Sequence, residues 1–172
     1  LLEHNKKVGF VATGQIGITI AGKGIPLDAF KVDQACGAVE QVVLDQADKD
    51  ILLIEGQGSL LHPGSTATLP LMRGSCPTHL ILCLRAEIKT LRSPEHIKIP
   101  DLNDFIALNE SLASVFGTFP RSRVIGIAAN TSMLSDNDAK AYLSKTLKDT
   151  GLVTTDPIRY GIAPIGEKIL IS

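Results

Sequence analysis

The sequence predicts an α/β fold, a mostly parallel sheet with helices on both faces and so three layers. Short apolar runs of strand length, such as Ile51–Ile54, alternate with stretches whose apolar residues recur every three to four positions. That alternation favours parallel strands joined by crossover helices. Polar, glycine-bearing turns follow the strands, where ligands bind in open sheets of this kind.

Each element follows from its residues. Residues 7–12 form a first strand that runs into a glycine-spaced loop at 13–17. Residues 17–23 read as a glycine-rich connection whose alternating Ile18 and Ile20 pack inward. Val32, Ala35, Cys36, Val39, Val42, Val43 and Ala47 lie at helical spacing, and Ile51–Ile54 is the second strand. Residues 66–73 suit a short helix closed by Gly74, and residues 79–84 a third strand. Residues 85–100 are polar, hold Pro94 and Pro100, lack a period and read as a long surface loop. Asp101 caps a helix whose apolar face carries Leu102, Phe105, Ile106, Leu112, Val115 and Phe116. Residues 124–128 are a fourth strand. Ser135 and Asp138 resemble a capping box for a helix through Leu147 that Gly151 ends. Val153–Thr155 and a helix over 161–170 complete the chain.

Composition narrows the function. With 172 residues, 44% hydrophobic and 20% charged, the chain suits one globular domain with a sizeable core, taken as residues 1–172. A net charge of -1 without a basic block argues against nucleic acid or an anionic membrane as partner. Aromatic residues at 4% disfavour base stacking, and no apolar run reaches the length of a membrane helix. Cys36, Cys76 and Cys83 are odd in number and form no CxxC pair, which supports neither a disulfide framework nor a metal site. They read as buried inert thiols, with a reducing cytoplasm as the default location. A start at Leu1-Leu2-Glu3 without methionine suggests a piece of a longer chain.

The chemistry concentrates after the second strand, in Glu55-Gly56-Gln57-Gly58-Ser59 and His62-Pro63. Glycines permit close backbone approach and offer N–H groups to an anion or oxyanion. Glu55 is a candidate base, magnesium ligand or ion-pair partner; His62 and Asp33 are further acid–base candidates. Thr13 and Gln15 belong on the same sheet rim as Glu55 and suit a polar ligand. Arg73, Arg85 and Arg159 are candidate clamps for carboxylates or phosphates. Gly17 to Lys23 fits seven positions of a phosphate loop, but Gly24 stands where a magnesium-binding Ser or Thr belongs.

Four segments resemble one family. Phe10-Val11-Ala12-Thr13-Gly14-Gln15 with Gly17, Ile20-Ala21-Gly22-Lys23-Gly24 and Asp28 is similar to its first signature. Asp33, Gly37 and Glu40 match a second, and Glu55-Gly56-Gln57-Gly58-Ser59-Leu60 with His62-Pro63 a third. Gly151-Leu152 and Asp156-Pro157-Ile158-Arg159-Tyr160-Gly161 match its closing segment. The family is that of D-glutamate N-acetyltransferase, catalogued as a domain of unknown function with a P-loop NTPase-like carboxyl-terminal domain. The resemblance implies acetyl transfer from acetyl-CoA to the amino group of D-glutamate. It also implies that the phosphate loop and its strand lie upstream of Leu1, after a Rossmann-like domain, so that this chain lacks the first strand.

In that reading Glu55, His62 or Asp33 deprotonates the amine, and the N–H groups of Gly56, Gly58 and Ser59 stabilise the oxyanion. Thr13, Gln15, Gln57, Arg73 and Arg159 bind substrate, and the cofactor site is expected on the upstream loop. No metal site is expected. A second reading is a magnesium- and ATP-dependent kinase or ligase related to dethiobiotin synthetase; a third is a truncated domain that binds an anion or a partner. Strand edges left open by a missing strand favour self-association into a homo-oligomer.

Overall fold

The computed structural model describes residue 1 and residues 4–171. The chain divides into two compact units, Leu1–Cys76 and Pro77–Ser172. All strand pairings within the named strands are parallel, as the alternation predicts.

In the first unit, β1 (Val8–Val11) pairs with β2 (Ile51–Ile54) in a register that runs from Val8 opposite Ile51 to Val11 opposite Ile54. Helix α1 spans Gln15–Ala21, a 3-10 turn covers Leu27–Ala29, and α2 and α3 span Val32–Leu44 and Thr68–Ser75. The core joins Leu27, Ala35, Val39, Ala67 and Leu71, with Ile25, Val43 and Ile54 packed against it. The small residue Gly74 lets α3 approach α2 closely: a Cβ there would lie 2.3 Å from the Cys36 carbonyl oxygen and 2.7 Å from Val39 Cβ.

The connection at 17–23 differs from expectation. It is helical, closed by Gly22 at φ 72°, and its two alternating isoleucines part company: Ile18 is half-buried, whereas Ile20 is 80% exposed. Two residues apart on a helix, Ile18 and Ile20 lie about 200° apart around the axis and so face different sides. Continuous helix from Gln15 to Ala21 also leaves no open phosphate cradle between Gly17 and Lys23.

In the second unit, β4 (Arg123–Asn130) lies between β3 (His79–Arg85) and β5 (Val153–Thr155). Helices α4 (Leu102–Ser114), α5 (Asp136–Thr150) and α6 (Ala163–Ile171) complete it. The predicted caps are present: Asp101 accepts from the Asn103 N–H at 2.8 Å, and Ser135 from the Asp138 N–H at 3.2 Å. Gly151, at φ 70°, ends α5. Residues 86–100 are irregular apart from one antiparallel bridge, Thr90 to Lys98. The cysteines depart from the buried reading: Cys36 and Cys76 are half-buried and Cys83 is exposed. Cys36 and Cys76 lie at a helix flank and a helix end, and Cys83 on a strand whose burial is only partial. No described helix is long and apolar enough to cross a membrane.

Candidate functional site

The site is built where β1 and β2 end together. Glu55 extends the ladder, its N–H donating to the Val11 carbonyl at 2.9 Å. Its carboxylate then turns back onto the β1–α1 connection. Oε2 accepts from the Thr13 N–H at 2.8 Å and the Gly14 N–H at 2.9 Å, while the Thr13 hydroxyl donates to the Glu55 carbonyl at 2.9 Å. A half-buried carboxylate is stabilised by such donors, and they hold two segments distant in sequence side by side. Glycine is required opposite it, because a Cβ on Gly17 would lie 2.1 Å from Oε2.

The turns bearing Gln15 and Gln57 therefore share a rim. A Cβ on Gly14 would come 2.8 Å from Gln57 Oε1, and Gln15, the first residue of α1, follows directly.

The turn after Gln57 is cross-braced. The Ser65 hydroxyl accepts from the Ser59 N–H at 3.0 Å, and the Thr68 hydroxyl donates to the Gln57 carbonyl at 3.1 Å. Gly58 has φ 76°, and a Cβ there would lie 2.1 Å from Ser65 Oγ. The His62 N–H donates to the Ser59 carbonyl at 3.1 Å. His62 Nδ1 accepts from the Gly64 N–H at 3.1 Å, which puts the proton of the neutral ring on Nε2. The Ser59 N–H is thus taken by Ser65, whereas those of Gly56, Gln57 and Gly58 have no hydrogen-bond partner among the described residues.

This turn lines an open cleft of about 390 Å³ together with Asp28. Asp28 is carried on the 3-10 turn, which is anchored because Leu27 is 2% exposed and its N–H donates to the Thr13 carbonyl at 3.0 Å. Gln57, Gly58, Ser59 and His62 meet in this cleft as expected residues; Asp28 and Ser65 join them without having been singled out as site residues. Asp28 reads in sequence as a flank of the following helix. Only the fold of the 24–31 connection brings it to the cleft, and its position in the first signature segment is the signal that points to it.

The other candidates stand elsewhere. Thr13 is fully buried behind the rim, and Gly56 is exposed at its start. Asp33 is exposed in the first turn of α2, and Arg73 is half-buried in the last turn of α3; neither lines the cleft. Arg85, at the end of β3, is exposed. Among the described residues no group of three or more His, Cys, Asp or Glu side chains is arranged to hold a metal ion.

Arg159 belongs to the second unit, where it lines a separate cavity of about 500 Å³ with Leu84, Asn130, Ser132, Asp156 and Ile158. Its Nη2 donates to the Leu134 carbonyl at 2.7 Å. Beside it Asp156, 3% exposed, accepts from the Thr131 N–H and hydroxyl at 2.9 and 2.5 Å and from the Ile158 and Arg159 N–H groups at 2.9 and 3.1 Å. Burial raises the Asp156 pKa, but these donors outweigh it and bring the value down to about 2.

The family described as "Domain of unknown function (DUF1611_C) P-loop domain" matches residues 1–166. The chain belongs to the DUF1611 family. A crystal structure of a DUF1611 family protein from Anabaena variabilis is 45% identical, superposes with a TM-score of 0.96, and is covered over 50% of its length by 99% of this chain. Two curated relatives are called D-glutamate N-acetyltransferase. The one from Pseudoalteromonas sp is 35% identical over 95% of this chain, and the one from Tritonibacter scottomollicae 37% identical over 90%. The DUF1611 chain spans about half the length of these relatives, 49% and 46% respectively.

Proposed function

We propose that this chain is the P-loop-type portion of an N-acetyltransferase that acts on the amino group of D-glutamate with acetyl-CoA as donor. The names of the two curated relatives support the reaction class. The observation that carries it to this site is the run of unpartnered N–H groups at Gly56, Gln57 and Gly58, the last two on residues that line the cleft. In thioester aminolysis the carbonyl oxygen gathers charge as the amine attacks, and fixed N–H donors stabilise that charge. The cross-braced turn keeps those donors in place before substrate arrives, which limits the reorganisation needed during reaction.

Glu55 is assigned here as the scaffold of the site, because two backbone N–H groups and the Gly17 surface occupy its carboxylate. The Gln57 amide and Ser59 hydroxyl suit hydrogen bonds to substrate carboxylates. The donor's pyrophosphate is assigned to a phosphate loop outside residues 1–172, as the family resemblance implies.

The test uses the full-length protein. Acetyl-CoA and D-glutamate are mixed, with free thiol followed by absorbance and N-acetylglutamate by mass spectrometry. Thiol release that requires D-glutamate supports the reading. Absence of transfer, or magnesium-dependent ATP hydrolysis in its place, overturns it.

A further inference from the structure

Aminolysis needs a base, since an ammonium group has no lone pair with which to attack. The structure removes the expected candidates one by one. Glu55 Oε2 is taken by the Thr13 and Gly14 N–H groups, and Glu55 does not line the cleft. His62 lines it, but its Nδ1 accepts from the Gly64 N–H, so the neutral ring offers Nε2–H as a donor and has no free lone pair. Asp33, on α2, is exposed like Asp28 but does not line the cleft. Asp28 is the carboxylate in the cleft wall, and its side chain has no hydrogen bond or ion pair among the described residues. Its place is fixed from below by the buried Leu27 and the bond from the Leu27 N–H to the Thr13 carbonyl. Thr13 is also the residue that Glu55 clamps, so one connection aligns Asp28 with the N–H-rich turn.

We propose that Asp28 is the catalytic base that receives the acceptor ammonium, and that His62, in the same cleft, acts as a hydrogen-bond donor through Nε2. This assignment rests on the acetyl-transfer reading above. The Asp28 carboxylate takes one proton from the ammonium. The freed nitrogen lone pair forms the C–N bond to the thioester carbonyl carbon, and the carbonyl electrons move onto oxygen, where His62 Nε2–H and the open backbone N–H groups stabilise them. Collapse breaks the C–S bond; the thiolate leaves and takes the second nitrogen proton, and Asp28 returns its own proton to water. The acceptor class is a primary amine that is protonated at neutral pH.

The experiment uses the full-length protein and its Asp28→Asn, Asp28→Glu, Asp28→Gly and His62→Gln variants. Acceptors are D-glutamate and hydroxylamine, the latter carrying a free lone pair at neutral pH. Asp28→Asn is expected to lower kcat for D-glutamate by about 100-fold or more, the ordinary range for loss of a general base, and to spare hydroxylamine. Asp28→Glu should recover part of the rate, and added formate should rescue Asp28→Gly. His62→Gln should slow both acceptors alike, without formate rescue. Circular dichroism of each variant identifies any that fail to fold, and the glutamate variant then carries the test. Wild-type protein that transfers no acetyl group overturns the functional reading itself. A transferring wild type with full activity in Asp28→Asn, or equal losses with both acceptors, overturns the Asp28 assignment alone.

Discussion

Glu55 and Gly17 fit together so closely that the helix surface at residue 17 is a seat for a carboxylate: a Cβ at that position would lie 2.1 Å from Glu55 Oε2. The seat explains how a charge at the end of a half-buried strand is tolerated, since the same oxygen accepts two backbone N–H groups.

Gly17→Ala therefore has an unusual sign. In an ordinary helix interior, exchanging Gly for Ala gains about 0.5–1 kcal/mol. Here it should lower stability, by about 1–3 kcal/mol, because Glu55 must leave its donors or the helix must shift. Thermal unfolding of the full-length variant checks this; a raised midpoint would contradict the contact.

Glu55→Gln keeps a side-chain oxygen that can accept the Thr13 and Gly14 N–H groups, so it should retain acetyl transfer to within about tenfold. Glu55→Ala removes the acceptor and should cost about 1–3 kcal/mol of stability through the donors left unpaired. Paired measurement of rate and unfolding separates a scaffold from a base, for which the glutamine variant would be as slow as the alanine one.

Gly58→Ala meets two obstacles, a backbone at φ 76° and Ser65 Oγ at 2.1 Å from the new Cβ. It should displace Ser65 from the Ser59 N–H, cost about 1–2 kcal/mol and reduce kcat more than KM. Ser65→Ala should reproduce the loss of the brace without the backbone strain. Steady-state kinetics of the two variants checks the order of severity.

Asp156 sets an acid limit. Its folded pKa, about 2, lies below the ordinary carboxylate value, so its stabilisation is fully present above about pH 4 and is lost as pH falls toward 2. The difference corresponds to about 2 kcal/mol. Asp156→Asn should lower stability at neutral pH by a similar amount and flatten its decline between pH 4 and 2. Urea unfolding across that range tests both statements.

The sequence carried the elements whose periodicity is dictated by burial. Ile51–Ile54 is apolar throughout and becomes a strand with the predicted bounds, and Asp101, Ser135 and Gly151 punctuate helices as their capping chemistry requires. Residues 17–23 read as a glycine-rich connection because Gly17 and Gly22 punctuate them, whereas Gly14 and Gly17 let the chain coil as a helix against Glu55; that determinant lies some 40 residues away and has no local signature. The glutamine–glycine turn was legible from its polar residues at a strand end. Asp28 was not, because its position depends on Leu27 reaching the core and on a backbone bond to Thr13. Ser65 was likewise hidden, since a serine in a loop reveals its partner only when the turn closes on Gly58.

In the second unit, Ile158 presents 94% of its surface while its backbone N–H is tied to Asp156. Main chain and side chain there answer to different demands. Exchange at residue 158 changes the lining of the cavity and leaves the anchoring bond intact, so that lining can vary with little risk to folding.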